Sequence, residues 1–194
     1  MVASADGATA IDGRAKALSG EPDRRLFHLM RSLAEVILVG AETVRRERYR
    51  PAAVPIAVVS RLCAFDWSSP FFTEATCRPI VFTVAIAPDD ALGRTRDVAD
   101  VVVVGETDVD VAAAVSELGD RGFSHVLCEG GPTLNGYLAG AGVLDELCLS
   151  ISPQLVGGRA KRALSSMSPV PSIPLELVSL CEEDGNLFCR YRPA

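Results

Sequence analysis

Short apolar runs alternate with segments whose apolar residues recur every three to four positions, and this alternation organises most of the chain. In EPDRRLFHLMRSLA, residues 21–34, Leu26, Leu29, Met30 and Leu33 fall on one helical face, and Pro22 suits a first turn. EVILVG (35–40) reads as a buried strand, with a short helix from Ala41. PIAVVS (55–60), PIVFT (79–83) and VVVVG (101–105) follow as strands, the last too uniformly apolar to face water on either side, as in parallel sheets covered on both faces. Val111, Val115 and Leu118 at i, i+4 and i+7 predict a helix, before a strand HVLC (125–128) and a helix opening at Pro132. The chain end breaks this rhythm: Asp184-Gly185 between LELVSLCEED and NLFCRYRP is a hairpin turn, which makes the last two strands antiparallel. The expected architecture is α/β, a mostly parallel sheet with a C-terminal antiparallel hairpin.

No repeat or linker divides the sequence, so 1–194 is read as one domain, with the proline- and serine-rich stretch at 166–175 as an irregular connection. Met1 is followed at once by VASADG, which looks like the tail of a strand, so the first strand is expected to be clipped before Met1.

Composition narrows the class. With 194 residues and 48% hydrophobic content the chain can bury one sizeable core. A formal net charge of −6 and a pI near 5.0 disfavour nucleic acid and anionic membranes as partners, because both repel the chain at long range. The six cysteines form no C-x-x-C pair, and Cys128 and Cys148 sit inside apolar runs, as in a reduced, cytoplasmic protein. No run approaches the roughly 20 apolar residues that span a bilayer, and no signal-peptide pattern opens the chain.

The candidate chemistry centres on HVLCEGGPTLNGYL, residues 125–138. A strand that ends in Gly-Gly and runs into a helix offers unpaired backbone N–H groups and a positive dipole end, with no Cβ to obstruct a phosphate. Glu129 would repel a phosphate at that spot. It is read either as pointing to a neighbouring ligand at the carboxyl end of the sheet or as a partner for the helix dipole and backbone amides. Dinucleotide, P-loop, zinc-protease and serine-hydrolase motifs are absent, and with only His28 and His125, both read as structural, no histidine metal site or triad is expected.

SADG (4–7), VILVGAETV (36–44), CEGGPTL (128–134) and LDELCLSISPQLVGG (144–158) together resemble the pyrimidine reductase family of riboflavin biosynthesis, the reductase half of bifunctional deaminase-reductases. That resemblance covers most of the chain and implies a dihydrofolate reductase-like three-layer fold with a mostly parallel central sheet. It implies NADPH-dependent reduction of a ribosylaminopyrimidine 5′-phosphate to its ribitylamino form by hydride transfer to the sugar C1′, without a metal. The zinc-deaminase signature is missing, so the chain looks like a reductase without a deaminase domain.

Carried over position by position, the resemblance sets the cofactor against Gly40, Ala41 and Thr43, with Gly130, Gly131, Thr133 and Leu134 around its pyrophosphate. Ser60 and Arg61 are read as holders of the adenosine 2′-phosphate, the competing reading of Arg61 being an ordinary solvated charge. Asp6, Ser19 and Arg31 match substrate positions, although Asp6 beside Gly7 also suits a plain turn and Arg31 a helix C-terminus. Glu47 occupies the place of a family aspartate that is a candidate proton donor, and RRERYRP departs from the usual acid-x-proline pattern there. Flanked by Arg46 and Arg48, Glu47 also fits a surface ion pair, which makes Glu129 the stronger candidate for ligand contact.

The family usually carries a longer segment where Tyr49-Arg50-Pro51 runs into the next strand, so residues near 50–53 are expected to be missing from the chain. A homodimer is expected, with ELCLSISPQLV as the interface or, alternatively, as a core strand. Within the same fold a dihydrofolate or pteridine substrate is the competing activity, and an NADPH-binding module without turnover is the reading from a different class.

Overall fold

The computed structural model describes residues 1–166 and 172–194; half of the irregular connection at 166–175 therefore lies outside the described residues. The chain divides into two compact units, one formed by Met1–Ser32 with Pro132–Ala194, the other by Leu33–Gly131.

The second unit carries the βα rhythm. Strands β2 (Val36–Gly40), β3 (Ile56–Val59), β4 (Ile80–Thr83), β5 (Asp100–Val103) and β6 (Val126–Cys128) form one sheet in the order β5-β4-β3-β2-β6, and every pairing is parallel. The apolar runs behave as buried on both faces. Ile37, Val39, Ile56, Val58 and Val81 join one core cluster, while the alternate residues Val36, Leu38, Ala57 and Phe82 are equally inaccessible. Phe71 and Phe72, on the short helix α3 (Pro70–Thr73), close this core edge to face, with ring centroids 4.7 Å apart. The strand predicted from VVVVG is the edge strand β5, and there the reading differs: Val103 is 46% exposed, because an edge strand has a neighbour on one side only.

The helices of this unit are α2 (Ala41–Arg46), α3, α4 (Asp89–Val98) and α5 (Val111–Asp120). Helix α5 is capped by Asp110, whose side chain accepts from the Ala113 N–H at 2.9 Å, and it buries Val111, Ala114 and Leu118. Helix α4 escaped the periodicity reading, because its buried residues are only Ala91, Leu92 and Thr95 and a glycine and two arginines dilute the stripe. Its start was nonetheless marked by Pro88 and two aspartates in the first turn.

In the first unit, β1 (Val2–Ser4) pairs in parallel with β7 (Leu147–Ser152), β7 pairs antiparallel with β9 (Asn186–Pro193), and β9 pairs with β8 (Leu175–Glu183) through the Asp184-Gly185 turn. The hairpin is as expected, with Asp184 and Gly185 both at positive φ. Among the described residues of this unit the helices are a short 3-10 turn (Ala15–Ala17), α1 (Glu21–Leu33) and α6 (Pro132–Gly140). The apolar face anticipated for α1 is largely open, with Leu29 56% and Leu33 67% exposed, and every residue of edge strand β8 is exposed too. Arg25 of α1 ties these elements together by an ion pair to Glu183.

Helix α6 lies against the described start of the connecting segment. The Ser165 N–H donates to the Pro132 carbonyl at 2.9 Å, and a Cβ at Gly136 would fall inside contact distance of the Ser165 carbonyl oxygen. Gly136→Ala therefore runs against helix propensity: the substitution favours an isolated helix by about 1 kcal/mol, whereas the steric conflict costs about 1–3 kcal/mol. Net destabilisation, read as a lower urea midpoint at unchanged slope, is the expected outcome; a raised midpoint would show that the segment yields.

Candidate functional site

In the parallel unit the site is built at the carboxyl ends of β2 and β6. The two strands run in register from Val36 opposite Val126 to Leu38 opposite Cys128, and the pairing continues past the strands. The Glu129 N–H donates to the Leu38 carbonyl at 2.9 Å and the Gly40 N–H to the Gly130 carbonyl at 2.7 Å. Two segments about 90 residues apart in sequence thus meet as one backbone surface. Gly130 adopts φ 81° and precedes a cis peptide bond to Gly131. An added Cβ on Gly131 would stand 3.0 Å from the Thr43 hydroxyl, so only glycine leaves that space open. Gly40, Ala41, Thr43, Gly130 and Gly131 are therefore brought together, and glycine backbone close beside a hydroxyl is a combination that can bind the pyrophosphate or carboxamide part of a dinucleotide.

Glu129 is half-buried beside this surface, and Glu47 follows α2, its N–H bonded to the Thr43 carbonyl at 3.0 Å. Arg46, expected as one of its ionic partners, pairs with Glu42 at 2.8 Å, while Arg48 stands at φ 48°. Burial pushes the Cys128 thiol, immediately before Glu129, up to about 11, so it stays protonated and supplies no thiolate. Ser60 and Arg61 lie after β3: the Ser60 hydroxyl accepts from the Cys63 N–H at 3.1 Å, and Arg61 pairs with Asp108 at 3.0 Å. The histidines stand apart from this chemistry, His28 exposed on α1 and His125 exposed 3.9 Å from Glu35.

In the other unit, Asp6 caps the turn after β7. It accepts from the Ser4 hydroxyl at 2.5 Å and from the backbone N–H groups of Val156 and Gly157 at 3.1 and 2.6 Å. These donors, the Ser4 hydroxyl first, lower its pKa to about 2, so at neutral pH it is an anion and acceptor, never a proton donor. Thr133 opens α6, and its hydroxyl meets the Lys161 ammonium at 3.0 Å, whose own backbone carbonyl is held by Thr9. Leu134 is 4% exposed, a core side chain whose outward contribution is limited to its backbone. Ser19 donates to Asp23 at 2.5 Å near the start of α1, whereas Arg31 stacks 4.6 Å over Phe27 in its last turn. The 13-residue helix is about 20 Å long, so α1 does not bring Ser19 and Arg31 together.

The model of the RibD C-terminal domain family matches residues 1–187. The chain belongs to the RibD C-terminal domain family. It is 32% identical over 170 residues to the 2,5-diamino-6-ribosylamino-4(3H)-pyrimidinone 5′-phosphate reductase of Methanothermobacter thermautotrophicus, covering 82% of this chain and 78% of the relative. Against Riboflavin biosynthesis protein RibD of Bacillus amyloliquefaciens it is 29% identical over 202 residues, 95% of this chain but 54% of that longer protein. A pyrimidine reductase-like protein from Corynebacterium diphtheriae shares the fold with a TM-score of 0.91 at 24% identity, over 100% of this chain and 89% of that one. The deaminase/reductase of Thermotoga maritima gives 0.79 at 20% identity, over 100% and 55%.

Sequence reading of this RibD C-terminal domain missed two side chains at its candidate site residues, Lys161 against Thr133 and Asp108 against Arg61. Both sit in polar loops, GGRAKRA and ETDVD, where only tertiary structure selects one charge from several. In this RibD-family chain the Asp6 cap also carries a pH dependence. Its folded pKa lies below the ordinary 3.8, so the stabilisation is present above about 4 and is lost as pH falls toward 2. Urea midpoints measured between pH 5 and 2 are expected to fall more steeply for the wild type than for Asp6→Asn; parallel profiles would remove the cap from the acid response.

Proposed function

We propose that the chain is an NADPH-dependent oxidoreductase that reduces a ribosylaminopyrimidine 5′-phosphate to its ribitylamino product in riboflavin biosynthesis, with residues 1–194 acting as one reductase domain. The observation that carries this reading is the backbone junction of Gly40 with Gly130, where Gly131 brings backbone without a side chain up to the Thr43 hydroxyl. Support for the substrate class comes from the reductase names of the relatives and from a family match that runs through both units.

A bound nicotinamide supplies the hydride for the sugar C1′. The chain's own residues bind, orient and protonate. Gly130 and Gly131 offer backbone without side-chain obstruction, Thr43 a hydroxyl, and Thr133 with Lys161 a donor pair for phosphate oxygens. Opening a ribosylamine to a reducible imine or aldehyde equivalent requires proton transfer at the ring oxygen and nitrogen. Glu129 or Glu47 carries that proton, Glu129 being set beside the glycine backbone by the Leu38 hydrogen bond. Asp6 is a fixed anion and serves as an acceptor for substrate hydroxyl or amino groups. Arg31, with its guanidinium stacked on Phe27, is the arginine for the sugar phosphate, while Ser19, at the opposite end of α1, contacts a different part of the substrate.

The reading includes a homodimer in the cytoplasm. Leu175, Leu177, Val178 and Leu180 are 41–54% exposed on the edge strand β8, whose unpaired backbone can add a second copy antiparallel to itself. No helix among the described residues is long and apolar enough to cross a membrane.

Nicotinamide fluorescence tests the activity. NADPH should bind, and adding the ribosylaminopyrimidine phosphate should oxidise it, whereas binding without oxidation would leave a different substrate or a binding module. Gly131→Ala is expected to weaken NADPH binding by about tenfold or more, the added methyl displacing Thr43 or the ligand, with little change in melting temperature. Unchanged binding would dissociate the glycine junction from the cofactor. Sedimentation should give a dimer that Leu177→Lys converts to monomer; a wild-type monomer at micromolar concentration would remove β8 as an interface.

A further inference from the structure

The carboxyl ends of the parallel strands present their loops in the spatial order Asp108 after β5, Ser60-Arg61 after β3, Gly40–Thr43 after β2 and Glu129–Gly131 after β6, with β4 between the first two. At about 4.8 Å per strand, the row from β6 to β5 spans about 19 Å, the scale of an extended dinucleotide. If the glycine end takes the pyrophosphate, the adenosine end falls by β3 to β5. That placement rests on the function proposed above.

Arg61 and Asp108 meet there, at 3.0 Å, and each is 63% exposed. Their backbones are far better fixed than their side chains. On one side, Ser60 is 6% and Cys63 0% exposed, the Ser60 hydroxyl accepts from the Cys63 N–H, and the Cys63 thiol meets the Thr83 hydroxyl at 3.3 Å. On the other, the loop after β5 is stitched to the segment after β4 by the N–H groups of Ala85 and Ile86, which donate to the Gly105 and Glu106 carbonyls at 3.0 and 3.2 Å. It closes on itself through the Asp110 N–H and the Val104 carbonyl at 2.9 Å. Gly105 sits at φ 110°, and a Cβ there would fall inside contact distance of the Asp108 carbonyl oxygen, so the turn that delivers Asp108 requires glycine.

An exposed pair of this kind adds little to stability, and two loops already pinned by backbone bonds have little need of it. Its electrostatic consequence is larger. Arg61 is a bidentate donor held beside the row of strand ends, and the anion now against it is a carboxylate of the protein itself. A phosphorylated ribose must displace Asp108 and then sit near its charge. An unphosphorylated ribose leaves the pair intact and presents hydroxyls that a carboxylate accepts.

We infer that Asp108 sets the choice between phosphorylated and unphosphorylated adenosine ribose at Arg61, acting against the 2′-phosphate and so restraining the preference for NADPH over NADH. Asp108 is a specificity determinant outside the reacting atoms, and its removal should sharpen selectivity without touching hydride transfer.

Calorimetry with adenosine 2′,5′-bisphosphate and adenosine 5′-monophosphate reads this without turnover, alongside fluorescence titrations with NADPH and NADH. Asp108→Asn should tighten the bisphosphate and NADPH by about three- to tenfold, leave the monophosphate and NADH within about twofold, and lose that gain as salt rises. Arg61→Ala should weaken only the two 2′-phosphorylated ligands, and in the Arg61→Ala/Asp108→Asn double variant the gain should vanish. No tightening in Asp108→Asn, an equal change for all four ligands, or a gain that survives loss of Arg61 would overturn the inference while leaving dinucleotide binding in place. A wild type that binds neither dinucleotide would overturn the proposed function, and the inference with it.

Discussion

The parallel pairing of β2 with β6 is the constraint on which the parallel unit's candidate site depends. Three residue pairs, Val36 with Val126 through Leu38 with Cys128, set a register that fixes where two distant glycine segments end relative to each other. Continued by the Glu129 and Gly40 N–H groups, the ladder brings Gly130 onto Gly40 and Gly131 over Thr43. A slip of one residue would turn every side chain of β6 to the opposite face and part the two glycine segments. Register therefore stands between a pattern of apolar residues and a candidate site: the same hydrogen bonds that complete the sheet bring the two glycine segments together.

Burial then decides where chemistry can happen. The central strands are covered on both faces, with Val36, Ile37, Val39, Ala57, Val58, Val81 and Phe82 all at 0% exposure, so no polar group can be offered from a sheet face without desolvation. Strand ends escape that restriction, because the backbone turns out of the ladder and leaves N–H groups unpaired. All the candidate groups of this unit, from Thr43 and Glu47 to Arg61 and Glu129, belong to segments that follow strands. The first unit repeats the logic with different means: Asp6 follows β1, and the two N–H groups that hold it follow β7, its parallel neighbour.

Legibility of the sequence followed the same division. Strands β2, β3 and β4, whose apolar character comes from burial on both sides, could be read directly, as could the Asp184-Gly185 hairpin, where φ restricts the residue types. Helix α4 could not be read, since three buried residues in ten leave too weak a stripe. VVVVG was over-read as fully covered because composition does not reveal which strand ends up at the edge. The α1 pattern gave a true helix, yet Leu29 and Leu33 remain exposed, so an apolar stripe identifies a face without identifying what covers it. Among the candidate groups, the Gly130-Gly131 junction after β6 was readable from its local pattern. Asp108 and Lys161 were not, because nothing in a polar loop distinguishes the charge that meets Arg61 or Thr133 from its neighbours.

Net charge makes these local partners matter more. At −6 the chain gives little long-range attraction to a phosphorylated ligand, so capture has to come from short-range donors, effective within roughly a Debye length of about 8–10 Å at ordinary ionic strength. Backbone N–H groups in glycine turns suit this, since they cost no side-chain entropy and cannot be neutralised by a neighbouring carboxylate as a lysine or arginine can. Several cations of this chain are already matched with acids, Arg25 with Glu183, Arg46 with Glu42, Arg50 with Glu74 and Arg61 with Asp108. In such a protein, recognition of an anion is an exchange of partners at a prepaired arginine as much as an attraction to a free one. The strength of the internal partner is then as much a part of specificity as the arginine itself.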